Sequence, residues 1–280
     1  MGVLLALASA LSWGSADFLG GVQSRKLSSV TVALWSQLAG GLVLLAFLVL
    51  ARQEPSAEGF AWGVAAGVGT GSGLILFYRG LSGGAMAIVA PVSASAAAVP
   101  VVAALLGGDT PSGLQFAGFA LCLAGAITVS VPDRSGRKLS GRPLNAVGIG
   151  LAAALGFGLF YVFVDRGSEA GGSLFWVIGG ARVGSIATIL LIAALGRSSL
   201  LVTRSSLPAL VLTGILDTGA NVLFAFAATK GDLGVVAVLG SLYPVTTVAL
   251  ASLVSREPLT PLRGLGGVIA LAGVAVLSAG

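Results

Sequence analysis

Histidine is absent from this 280-residue chain, and cysteine occurs once, at Cys122. Without histidine there is no imidazole metal site and no Ser-His or Cys-His catalytic pair. A single thiol inside an apolar run forms no intrachain disulfide and reads as packing material. Charge is scarce as well: Asp, Glu, Lys and Arg make up 9% of the residues, against roughly one quarter in soluble domains. Water therefore cannot be the main solvent. Paired catalytic carboxylates and a nucleophile beside a base are missing at workable spacing, and so is an ATP-binding motif. The expectation is a protein that is not an enzyme and holds no cofactor and no metal. Met1-Gly2-Val3-Leu4-Leu5 lacks the positive stretch of a secretory signal and reads as a retained first helix.

What is present is apolar sequence, 56% of the chain. The net charge of +5 is carried by Lys and Arg scattered between apolar runs. They form no stripe or arm for nucleic acid and suit basic loops beside an anionic membrane face. A bilayer core needs roughly 20 apolar residues at 1.5 Å rise each. That ruler places spans near 3–22, 30–50, 60–79, 84–106, 113–131, 145–165, 173–195, 207–229, 233–254 and 261–279. Short connections rich in Gly, Pro, Ser and charge separate them, as in Arg52-Gln53-Glu54-Pro55-Ser56.

The chain also repeats itself. Gly107-Gly108-Asp109-Thr110-Pro111 leads into a glycine-bearing helix through Gly118 and Gly125, and Ser255-Arg256-Glu257-Pro258 leads into another through Gly264, Gly266 and Gly273. Trp13-Gly14 matches Phe157-Gly158, Gln37 matches Arg182, and Gly69 and Gly73 match Asp217 and Asn221. The longest polar interval begins at Pro132-Asp133-Arg134 and divides the spans into two groups of five. Halves separated by an odd number of crossings enter the bilayer from opposite faces. The expected fold is an all-α polytopic membrane protein with ten transmembrane helices in two inverted five-helix repeats: residues 1–131, a linker over 132–144, and residues 145–280.

Polar side chains inside the spans are the candidates for function. Asp217 and Asn221 lie one helical turn apart near the middle of the eighth span, and a carboxylate at that depth needs a polar cavity, a partner or a proton. Arg182, at similar depth, is its natural counter-ion; the alternatives are a structural clamp and an anion site. Gln37, its counterpart, is a candidate for interhelical glue or solute contact. Trp13, Trp35, Tyr78, Phe157, Tyr161, Trp176, Phe224 and Tyr243 are candidates to line an amphipathic cavity. Pro91, Pro100 and Pro244 are expected to free helix carbonyls and give kinks for gating. Asp17, close in sequence to Arg25 and Lys26, and Asp165 and Arg166 are expected at the interface, with gating of the cavity entrance as the alternative for Asp17. Asp109 and Glu257 begin helices, where the dipole favours anions, and are expected to cap them, with membership of a gating salt bridge as the alternative for either. The run from Gly67 to Gly73 superficially resembles a phosphate loop, yet no strand precedes it. Gly63, Gly67 and Gly71 recur every fourth residue, the spacing of a close-packing helix face.

In its Leu11-Ser12-Trp13-Gly14 opening, Ala90-Pro91 in the fourth span, Ser241-Leu242-Tyr243-Pro244 in the ninth, and Asp109 and Glu257 before glycine-rich helices, the chain resembles the EamA-type branch of the drug/metabolite transporter superfamily. It departs from that pattern in having Asp109 where Glu is usual and Phe157 where Trp is usual. The resemblance implies a multi-pass protein of the inner or plasma membrane that exports or exchanges metabolites or drug-like solutes. A passive channel is the alternative. Energy would come from an ion or counter-transported solute, and Asp217 is the expected proton-coupling carboxylate. Partners are then a small organic solute, the lipid bilayer and a proton or counter-solute, without nucleic acid. Ten spans can enclose a cavity within one chain, which allows a monomer. Lys and Arg gather in the odd-numbered connections, from Arg25 and Lys26 onward, leaving only Arg52, Arg166 and Lys230 in the even ones. That places both termini outside, whereas the resemblance implies both in the cytoplasm.

Overall fold

A computed structural model describes residues 1–50, 52, 54–108, 112–130, 143–170, 173–230, 236, 239–240, 242–257 and 259–279. The described chain is helical: α1 (Gly2–Gln23), α2 (Ser29–Leu50), α3 (Ala57–Ser82), α4 (Met86–Ser93), a 3₁₀ turn over Ala94–Ala97, α5 (Ala98–Leu106), α6 (Gly113–Ser130), α7 (Pro143–Glu169), α8 (Leu174–Leu195), α9 (Leu207–Lys230), α10 (Tyr243–Leu253) and α11 (Pro261–Ala279). Six of these are long and apolar enough to cross a membrane: α1, α2, α3, α7, α8 and α9. Shorter apolar stretches cover 86–100, 113–125, 243–253 and 264–277.

Local chemistry starts and stops the helices. Ser56 caps α3 by accepting from the Gly59 N–H at 3.1 Å, with Glu58 in the first turn and Arg79 in the last to complement the helix dipole. At α6 a reciprocal capping box forms: Gln115 N–H donates to Ser112 Oγ at 3.2 Å, and Ser112 N–H donates to Gln115 Oε1 at 2.9 Å. Between α3 and α4 the chain turns at Gly84 with φ of 71°, a conformation that a Cβ would oppose.

The expected fourth span is a helix interrupted by a 3₁₀ turn. Pro91 lies inside α4 and cannot donate to the carbonyl of Ala87, and the helix tightens three residues later. Pro100 is the third residue of α5, directly after the 3₁₀ turn. Pro244 behaves differently from expectation, since it sits in the first turn of α10, where a missing N–H leaves no intrahelical bond unmade. Pro244 therefore opens a helix. The turn before it is tight: Leu242 N–H donates to Leu239 O and Val245 N–H to Leu242 O.

Helix packing has an internal symmetry. Helix α3 runs along α7 and α8, and α9 runs along α1 and α2. In the same way α4 meets α7 while α10 meets α1, and α2 with α8, α6 with α11, and α4 with α10 pair across the middle. Exchanging α1–α6 for their counterparts α7–α11 maps this set of contacts onto itself. The main packing is thus between the halves. The glycines spaced by four on α3 form its seam with α8: Gly63 meets Val177 and Ala181, Gly67 meets Ala181 and Ser185, and a Cβ on Gly71 would stand 2.8 Å from the Ser185 carbonyl.

The principal core joins Phe77, Leu81, Met86, Ile88 and Val89 of the first half with Ile189 and Leu210 of the second. Outside it, whole rows of large apolar side chains remain uncovered, among them Leu42, Leu45 and Val49 on α2 and Leu151 and Leu155 on α7. In water such rows would be an aggregation liability; against acyl chains they are the solvent-matched face.

Candidate functional site

The most polar part of the interior lies where α2, α8 and α9 meet. Arg182 is 7% exposed, and its guanidinium is held by three protein acceptors. Nη1 donates to Gln37 Oε1 at 2.8 Å, and Nη2 donates to Asp217 Oδ2 at 2.6 Å and to Thr218 Oγ1 at 3.1 Å. Ser185 Oγ donates to the same Gln37 oxygen at 2.9 Å. Helix α2 approaches closely enough because Gly40 presents no side chain toward Gly214 and Thr218. Asp217, Gln37 and Thr218 take three of the five N–H donors of the guanidinium. Among the described residues Asn221 makes no hydrogen bond to another helix. Its Nδ2 donates to the Asp217 carbonyl one turn back, at 2.7 Å.

A second group is aromatic. Trp13 lies 5.7 Å from Phe224 and 6.3 Å, edge to face, from Tyr243, so α1, α9 and α10 contribute to one cluster. Tyr78 is 2% exposed and packs its ring against Gly20.

Other expected cavity residues sit elsewhere. Trp35 donates Nε1–H to the Leu200 carbonyl at 3.1 Å, tying α2 to the connection before α9. Trp176 packs edge to face on Phe60, and Phe157 on Phe77. Asp165 and Arg166 are exposed at the end of α7, where Arg166 pairs with Glu169 at 3.4 Å. A separate apolar crevice of about 260 Å³, lined by Val99, Val102, Phe119, Cys122 and Leu151, lies apart from the polar cluster.

Asp17, half-buried on α1, has no cation within 4.0 Å among the described residues. Arg25, taken from sequence as its neighbour, instead pairs with Glu257. Glu257 in turn caps a helix other than its own. Its Oε2 accepts the Met86 N–H at 3.0 Å at the start of α4, binding the second half to the first. Burial pushes the Glu257 carboxyl above the ordinary glutamate range; the Arg25 guanidinium and the Met86 amide oppose that shift. Asp109, its counterpart, lies outside the described residues. Sequence reasoning also missed Ser185 and Thr218. Ser185 is three residues from Arg182 on one helix face, a spacing that signals a shared contact.

The family model described as the EamA-like transporter family matches residues 1–131 and again 144–279. The chain belongs to this family. It is accordingly a multi-pass membrane protein of a family of small-solute transporters within the drug/metabolite transporter superfamily. No match was found among curated protein sequences. One solved crystal structure superposes with a TM-score of 0.66 over 98% of this chain and 95% of its own, at 18% identity, a likeness of fold alone.

Proposed function

We propose that this EamA-family chain is a secondary active transporter that moves a small organic solute by alternating access, as an exporter or exchanger in the inner or plasma membrane. In this reading the shorter apolar helices complete ten crossings, and the two halves form inverted repeats around a central hollow. The observation that carries it is the polar cluster joining the halves: Gln37 from the first half and Ser185, Arg182, Asp217 and Thr218 from the second, held together inside an apolar bundle. Such a cluster is costly in a membrane and is retained where helices must meet in more than one arrangement.

Trp13, Phe224, Tyr243 and Tyr78 supply the amphipathic wall. The Arg182–Asp217 pair is the two-state element. Protonation of Asp217 removes its attraction for the guanidinium and biases one opening of the hollow, which couples transport to a proton. A thermal-shift screen of the purified protein identifies a solute that stabilises the folded state. With that solute, pH-driven uptake into proteoliposomes is expected to be lost in Asp217→Asn; unchanged uptake would remove the coupling role.

A further inference from the structure

Helix α6 runs along α11 and touches α5 and α7 only lightly. That loose packing leaves the apolar crevice of about 260 Å³ between α5, α6 and α7. Its floor is made by Ala98, Cys122 and Ala154, which are 7%, 2% and 4% exposed. Its rim is made by Val102, Leu123, Leu151 and Leu155, the least exposed of which is at 39%. Leu123 and Leu155 lie near the middle of α6 (Gly113–Ser130) and α7 (Pro143–Glu169), so the mouth opens sideways, level with acyl chains rather than headgroups. Leu151 and Leu155 also belong to the uncovered apolar row of α7, which makes the mouth continuous with the lipid-facing surface.

The chemistry of the wall selects among the molecules that can reach it. A buried water needs roughly two to four polar partners. The two polar side chains here already direct their protons to backbone: Ser95 Oγ donates to the Val92 carbonyl at 2.6 Å and Cys122 Sγ to the Ala270 carbonyl at 3.7 Å. A whole organic solute takes a site of roughly 300–1,000 Å³ with convergent polar groups; this crevice is smaller and walled by hydrocarbon. A helix of a second copy, roughly 10–12 Å across with its side chains, covers the mouth without filling the floor. A hydrocarbon chain is narrow, has no polar group to satisfy and is supplied by the bilayer at this depth.

We propose that this crevice binds one acyl chain of a bilayer phospholipid, inserted sideways between α5, α6 and α7. Lipid tails are as apolar as leucine, so the gain is not hydrophobic; it is the dispersion contact that an empty floor forfeits. The inserted chain lies against the break in the fourth span, since Ser95 belongs to the 3₁₀ turn Ala94–Ala97 and Ala98 begins α5. It therefore braces the segment that the Pro91 interruption leaves without a continuous helix. The site uses only the membrane placement of the chain and stands whether or not the protein transports.

Photolabelling of the full chain in phosphatidylcholine proteoliposomes tests it, with a trace of phosphatidylcholine that carries a diazirine in mid-chain and adducts located by peptide mass spectrometry. Adducts are expected on Cys122 at the floor as well as on Leu123 and Leu155 at the rim, and in higher yield than on Leu42 and Leu45 of α2, which face lipid without a crevice. Ala154→Phe and, separately, Ala98→Leu fill the floor; each is expected to lose the Cys122 adduct and keep those on α2. The retained α2 adducts, with an unchanged elution volume in detergent, show that a variant is folded. Adducts confined to the rim at the yield seen on α2, or an undiminished Cys122 adduct in both folded variants, would overturn the proposal. Suppression of the crevice adducts by cyclohexanol with α2 labelling unchanged would assign the space to a small solute instead. Crevice labelling that appears only at high lipid-to-protein ratio would assign the mouth to a second copy of the chain, and either result also overturns it.

Discussion

Arg182 and Gln37, which hold corresponding places in the two halves of the chain, hydrogen bond directly to one another, Nη1 to Oε1 at 2.8 Å. The contact lies where α2 meets α8, a pairing that maps onto itself when the halves are exchanged. One member carries a charge and the other is neutral, so the site is asymmetric although the scaffold is symmetric. Asp217 on α9 completes it, while Gly69, its counterpart on α3, is packed against Gly156 and Phe160 and leaves no room for a side chain.

Arg182→Leu leaves Asp217 without its partner inside the bundle, and its expected cost is about 3 kcal/mol. Asp217→Leu strands the guanidinium in the same way. The double variant Arg182→Leu/Asp217→Leu is expected to recover much of that loss, because no uncompensated charge remains. Thermal denaturation in detergent of the four proteins measures the coupling. Additive losses in the double variant would contradict it.

The seam between α3 and α8 has backbone on its far side, which cannot step aside. A Cβ at Gly67 would stand 2.5 Å from the Ser185 amide nitrogen, so Gly67→Ala is expected to destabilise by about 1–3 kcal/mol. Gly148 on α7 has nothing within 4 Å of a Cβ, and Gly148→Ala is expected to be neutral or stabilising. Denaturation midpoints of the two variants give the comparison, and equal effects would contradict the packing argument.

The Glu257 carboxyl, raised by burial, holds its proton to a higher pH folded than unfolded. Folded protein then binds more protons than unfolded protein from the ordinary glutamate value up to the raised one, so this group's contribution is full below that window and falls as pH rises through it. Glu257→Gln removes this dependence. Melting temperature against pH should decline more steeply for the wild type across the window, and superimposable profiles would contradict the assignment.

How much of this was legible follows from what each residue needs. A run of about twenty apolar residues is visible without any partner, and helices α1, α2, α8, α9 and α11 lie within two residues of their expected bounds. Asp217 with Arg182 was legible because a lone charge in a span demands an opposite one. The partner of Arg25 was not, since Glu257 lies 232 residues further along the chain. Glu257 was read as the cap of its own helix because sequence shows the nearest helix start, whereas the Met86 amide comes from the other half of the chain. The same blindness applied to Pro244, whose place in the first turn of α10 depends on a break just before it. The linker expected over 132–144 lies largely outside the described residues.

The most direct test of transport is solute counterflow. Proteoliposomes preloaded with the compound that best stabilises the purified protein are diluted into a trace of the same compound carrying a radiolabel. A secondary transporter with one alternating site accumulates label transiently above its equilibrium level and saturates with concentration. Label that only equilibrates, at a rate proportional to concentration, would mark a passive pore and contradict the account.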